Sequence, residues 1–233
     1  MSSIKIGGIE KFSIVDFPNR MAAVVFMQGC PWRCPFCHNS HLQDVNAATN
    51  IVWQKFTDFL KQRQGVLDAV VFSGGEPLVQ AGLCAAIKEV KALGYEIGLH
   101  TGGYLPERFK EVLPLADWVG FDVKAPFEAK AYKAVTGGIA DVTKVCESLL
   151  VLCDSGKHFE CRTTCDPRFL SVDDIYTIAD SLKNMGVKEY YLQKYRKVPS
   201  DTDTTEEQCA ALVEDEKLLA YLRDSFDIFD VRV

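Results

Sequence analysis

Six short runs rich in β-branched and aromatic residues, set between stretches of helical periodicity, limit what this chain can fold into more than any other feature. The runs are residues 22–28, 69–73, 96–101, 118–123, 159–164 and 189–193. Between them, in 52–62, 83–93, 142–153 and 173–185, apolar residues return every three or four positions. Alternation of this kind predicts βα units around a parallel sheet. Six units are too few for a closed eight-stranded barrel. The expected fold is therefore α/β, a partial (β/α)6 barrel with a parallel sheet, open on one side. Residues 4–15 and 227–233 read as further strands at its edges. Asp141, and Ser171 or Asp173, are candidate helix N-caps, and Gly94, Gly156 and Gly186 fall where helix ends favour a left-handed residue. The polar stretch 199–207 predicts a mobile loop.

With 233 residues, 48% hydrophobic and 25% charged, the chain suits a single domain over 1–233, its core at about 20–195 and extensions at both edges. A net charge of -6 with no Lys/Arg run longer than two argues against a nucleic-acid partner. The longest apolar stretches, 22–27 and 149–153, fall far short of the roughly 20 residues a membrane helix needs. Nine cysteines at irregular spacing, with no signal-like N-terminus, suit a soluble cytoplasmic protein whose thiols stay reduced.

In a parallel sheet, ligands gather at the carboxyl ends of the strands. The unusual residues fall there. Cys30 follows the first run, Gly74-Gly75-Glu76-Pro77 the second and His100-Thr101-Gly102-Gly103 the third. Asp122 and Lys124 end the fourth, Arg162 is on the fifth, and Gln193 and Tyr195 are at the sixth. Cys30, Cys34 and Cys37 form C-x3-C-x2-C in a Pro-interrupted loop. Three thiolates suit a four-iron cube with one iron left open for chemistry. A zinc site, with His38 or His41 as fourth ligand, is the second reading. In Gly74-Gly75-Glu76 the glycines allow close backbone approach to a ligand and the carboxylate can receive an ammonium.

Together the two motifs resemble the radical S-adenosylmethionine (SAM) superfamily. Gly8, Ser13, Val15-Asp16, Pro18 and Arg20, with Cys37-His38-Asn39 closing the loop, are similar to glycyl-radical-enzyme activating proteins. Those of anaerobic ribonucleotide reductase and of pyruvate formate-lyase are the nearest kinds. The resemblance implies one [4Fe-4S] cluster on Cys30, Cys34 and Cys37, with SAM on its open iron. Phe36 would lie against the adenine, and Gly74, Gly75 and Glu76 would meet the methionyl amino group. Asp122 and Lys124 would flank the methionyl end, and Arg162 would meet a cofactor carboxylate. His38, Thr101, Gln193 and Tyr195 complete the expected cofactor-binding set, and no catalytic side chain is expected beyond the cluster and SAM. The implied partners are a glycyl radical enzyme, foremost anaerobic ribonucleotide reductase, and reduced flavodoxin or a similar electron donor. A small-molecule enzyme similar to 7-carboxy-7-deazaguanine synthase is the alternative.

Two departures stand out. Relatives of the formate-lyase activase carry Asp-Thr-Asn-Gly, whose Asp helps hold a monovalent cation, where this chain has His100-Thr101-Gly102-Gly103. Imidazole is a poor ligand for a hard cation. Phe17 replaces a glycine common after the preceding Asp, which makes the loop bulkier. No cysteine-rich insertion lies between His38 and Val52, so one cluster is expected. Cys84, Cys146, Cys153, Cys161, Cys165 and Cys209 read as core or incidental thiols.

Overall fold

The computed structural model describes residues 4–138 and 140–233. Its eight strands are β1 (Ile6–Ser13), β2 (Ala22–Met27), β3 (Ala69–Gly74), β4 (Glu96–Thr101), β5 (Trp118–Asp122), β6 (His158–Cys165), β7 (Glu189–Lys194) and β8 (Ile228–Arg232). They form one sheet in the order β1 to β8. From β2 onward every neighbouring pair is parallel. The short connection after β1 has no room for a crossover, so β1 runs antiparallel to β2. The partial, open barrel is thus confirmed, with both edge segments as strands.

Helices α1 (Trp53–Lys61), α2 (Leu83–Ala92), α5 (Val142–Cys153) and α6 (Val172–Asn184) match the four periodic stretches within a residue. Four more are present: α3 (Pro106–Val112), α4 (Ala129–Thr136), α7 (Glu206–Glu214) and α8 (Glu216–Ser225). Among the described residues, no helix is long and apolar enough to cross a membrane. Asp141 caps α5 through the Thr143 N–H, and Ser171, not Asp173, caps α6 in a reciprocal capping box with Asp174. Gly94, Gly156 and Gly186 all have positive φ.

The polar stretch after Lys197 is pinned. Buried Asp201 accepts hydrogen bonds from the Tyr195 hydroxyl (2.8 Å) and the Thr204 N–H (3.1 Å), and Arg168 pairs with it at 3.3 Å. Its polarity serves an internal network, which composition alone reads as a solvated loop.

Strand residues alternate between two faces. The outer set, including Val25, Phe72, Leu99, Phe121 and Leu192, packs with the helices into the main core. A second cluster fills the lumen with Val24, Val71, Trp118 and Phe17. Phe17 comes from the β1–β2 connection, and its ring lies 5.3 Å from that of Trp118. Gly98 makes the room, since a Cβ there would sit 2.9 Å from Phe17 and from Val71. The bulk foreseen for this loop is turned into the barrel.

Candidate active site

The loop after β2 is shaped by backbone hydrogen bonds. Gly29 and Cys30 donate to the carbonyls of Leu42 and Gln43, Arg33 donates to that of Thr136, and Cys37 donates to that of Cys34. The Arg33 guanidinium folds back onto the carbonyls of Cys30 and Trp32 at 2.7 and 2.8 Å. Cys30, Cys34 and Cys37 are each half-buried and free of disulfides. Burial pushes the Cys30 and Cys34 thiols up to about 12 and about 11. Bound iron would supply the positive charge that makes such thiols ligate as thiolates.

The glycines after β3 dock directly on this loop. A Cβ on Gly74 would fall 2.2 Å from the Met27 nitrogen, and one on Gly75 would fall 2.3 Å from the Gly29 oxygen. Gly75 and Glu76 donate to the carbonyls of Met27 and Gly29 at 3.0 and 2.9 Å. Glu76, almost fully buried, accepts from the Thr101 hydroxyl (2.7 Å) and from the N–H groups of Gly102 (2.9 Å) and Leu78 (3.1 Å). Burial pushes its carboxyl up, and these three donors oppose the shift. Gly102 in turn admits Trp32, whose ring would lie 2.3 Å from an added Cβ.

Asp122, Lys124 and Arg162 form one charged group. The Arg162 Nε and Nη2 lie 2.9 and 2.8 Å from the same Asp122 oxygen, and the Lys124 ammonium lies 3.6 Å from the other. Burial alone would raise the Asp122 carboxyl, but Arg162 and Lys124 hold it below the usual carboxylate range. Burial would likewise lower Lys124, yet Asp122 and the neighbouring thiols raise it. His100 Nε2 is 2.9 Å from the Asp16 carbonyl and 3.3 Å from Arg162 Nη1. A carbonyl can only accept, so Nε2 carries the proton and the guanidinium is a charged neighbour. Burial, with Arg162 adding to it, pushes the His100 imidazole down to about 3, which keeps it neutral.

These groups line one cavity of about 230 Å³. Cys30, Cys34, Phe36, Cys37, His38, Gly74, Gly75, Glu76, Thr101, Asp122, Lys124 and Arg162 all reach it. Two expected members do not. Tyr195 is buried away from the cavity, its hydroxyl committed to Asp201, to Arg168 at 2.8 Å and to the Val198 N–H. Gln193 stands behind Thr164, accepting from its hydroxyl at 3.4 Å. Sequence reasoning passed over Trp32, Gln43, Ser73 and Thr164, which also line the cavity. For Thr164 a signal existed, since it lies on β6 two residues from Arg162 and points the same way.

The donor set fits an iron-sulfur cluster. Among the described residues no three His, Cys, Asp or Glu side chains converge on one point, as a lone zinc ion requires. Three soft thiols serving three irons of a cube need only share a cavity, and they do. Residues 24–165 match the Radical SAM superfamily. The chain belongs to the radical SAM superfamily. It is an enzyme of that class, and the class's cofactors are a [4Fe-4S] cluster and SAM. A Methanocaldococcus jannaschii protein bearing the name of a glycyl-radical enzyme activating enzyme is 31% identical over 211 residues, 83% of this chain and 85% of that protein. The pyruvate formate-lyase-activating enzyme of Clostridium pasteurianum is 28% identical over 94% of this chain and 97% of its own length. A 7-carboxy-7-deazaguanine synthase of Thermococcus kodakarensis is 27% identical over 59% of this chain and 60% of that protein. Among solved structures, Streptococcus suis SuiB bound to S-adenosylmethionine superposes with a TM-score of 0.68 at 15% identity over 88% of this chain. The chain spans about half the length of SuiB, at 48%.

Proposed function

We propose that this radical SAM enzyme generates a glycyl radical on a partner enzyme, and that the partner is anaerobic ribonucleotide reductase. The observation that carries the activase reading is full-length similarity to a pyruvate formate-lyase-activating enzyme, 97% of whose length is matched. The deazaguanine synthase reading has a match over only 60% of that relative. The choice of reductase rests on family resemblance alone; Gly8, Ser13, Asp16 and the Cys37-His38-Asn39 segment support the activase class.

When bound, the cluster and SAM would supply the one-electron chemistry that removes a hydrogen atom from a glycine Cα of the partner. Cys30, Cys34 and Cys37 would hold the cluster. Glu76, fixed by three donors, receives the methionyl ammonium, whose charge would keep the carboxylate ionised. Asp122, Lys124 and Arg162 offer the methionyl end one carboxylate flanked by two cations. The Lys124 ammonium stands 5.5 Å from the Trp32 ring and 5.9 Å from that of Phe36, and both rings line the cavity. On the β1 side, Phe12, Ile14 and Val15 are exposed, which suits contact with a macromolecular substrate.

The test is anaerobic incubation of the reconstituted enzyme with SAM, reduced flavodoxin and the ribonucleotide reductase of the same organism. A glycyl doublet in electron paramagnetic resonance is expected. SAM cleavage without a doublet on any glycyl radical enzyme of that organism would overturn the activase reading, and 7-carboxy-7-deazaguanine formation would establish the alternative.

A further inference from the structure

The lumen of the barrel carries a row of charges that continues beyond the cavity. On β6, Glu160 and Arg162 point the same way, two residues apart. Glu160 is fully buried and receives the Arg232 guanidinium, from the last strand, on both oxygens at 2.5 and 2.8 Å. Arg232 also stacks 3.8 Å from the centre of the Tyr191 ring. Arg162 Nη1 lies 4.0 Å from Glu160 while Nε and Nη2 hold Asp122 at 2.9 and 2.8 Å. One guanidinium thus stands between two carboxylates. Asp122 and Arg162 line the cavity, whereas Glu160 and Arg232 do not.

A buried carboxylate without a partner is costly and draws in whatever cation can reach it. Without Arg232, the nearest cation to Glu160 is Arg162, which could satisfy it only by moving off Asp122. We propose that Arg232 is a positioning residue of the active site: it occupies Glu160, the carboxylate that would otherwise compete for Arg162, and this leaves Arg162 on Asp122 at the cavity wall. Arg232 lies outside residues 24–165, the span of the family match, so the match assigns it no role. The effect on cofactor binding rests on the cofactor roles proposed for Asp122 and Arg162, whereas the movement of Arg162 does not.

The experiment uses Arg232→Met, Glu160→Gln and the double variant, with two readouts. The first is proton NMR titration of the four histidines in the cluster-free protein. His100 faces Arg162 and Asp122, with Arg232 farther off, packs edge-on against Trp118, and donates from Nε2 to the Asp16 carbonyl. Loss of the Arg232 charge by itself raises the His100 titration in both Arg232→Met and the double variant; departure of Arg162 adds a further rise in Arg232→Met, which the double variant, with no carboxylate at 160 to attract Arg162, lacks. The second is SAM affinity of the cluster-loaded protein by equilibrium dialysis. Arg232→Met weakens it about tenfold or more, and the double variant and Glu160→Gln stay within about twofold of wild type. If His100 titrates no higher in Arg232→Met than in the double variant, or the double variant is as impaired as the single, the proposal is overturned. A His100 titration higher in Arg232→Met than in the double variant, with unchanged SAM affinity, would keep the movement of Arg162 and overturn its role in cofactor binding. Should Arg232→Met fail to fold, Glu160→Gln and the double variant decide, because weak SAM binding by both of them contradicts the proposal.

Discussion

At the scale of single residues, Glu76 does two jobs. Its carboxylate ties the end of β3 to Thr101 and Gly102 at the end of β4, and it is the group proposed to take the methionyl ammonium. Glutamine has one acceptor oxygen where glutamate has two, and its amide would confront an N–H or hydroxyl donor. Glu76→Gln is expected to lower unfolding stability by about 1–3 kcal/mol and SAM affinity at least about tenfold. Urea unfolding and equilibrium dialysis read the two effects separately. Much of the cavity wall was legible in the sequence at this scale, because Cys30, Cys34 and Cys37, and likewise Gly74 to Glu76, are neighbours along the chain. Trp32 was harder to read, since tertiary packing brings it to the wall: it owes its place to the bare Cα of Gly102. Tyr195 shows the opposite case. A strand-end tyrosine looks available until Arg168 and Asp201 are folded against it.

At the scale of elements, the long helices were visible because each repeats its apolar face over nine residues or more. The seven-residue α3 buries only Pro106, Phe109 and Val112, too few positions to establish a period. Helices α7 and α8 follow a polar stretch that pointed to a loop, and their caps, Thr205 and Asp215, sit among other polar residues that could equally have been turns. The capping box of α6 gives a test confined to one element. Ser171→Ala removes the side-chain acceptor for the Asp174 N–H, at a cost of about 1 kcal/mol, or a melting temperature about 2–4 °C lower. SAM cleavage by this variant should match wild type, since Ser171 lies outside the cavity.

At the scale of the whole molecule, the lumen makes stability depend on pH through His100. Its folded value, about 3, lies below the ordinary one of 6.5, so the folded state leaves the ring neutral while the unfolded chain takes up a proton. Stability therefore falls as pH drops from about 6.5 towards 3, by roughly 1.4 kcal/mol per pH unit at the steepest. Asp122 has the opposite sign: lowered in the fold, it contributes above the ordinary carboxylate value and is lost only at more acid pH. His100→Gln keeps a donor for the Asp16 carbonyl and removes the titration. Between pH 7 and pH 5 the wild type should lose about 2 kcal/mol more than this variant in urea unfolding. The same lumen bears on how the protein is made. Each strand pairs with the one before it in sequence, so the sheet can grow strand by strand while the chain is still being synthesised. Glu160 arrives on β6, but Arg232 arrives only on β8. A ribosome that stops short of the eighth strand would release a sheet in which Arg162 is left to serve two carboxylates, Asp122 and Glu160.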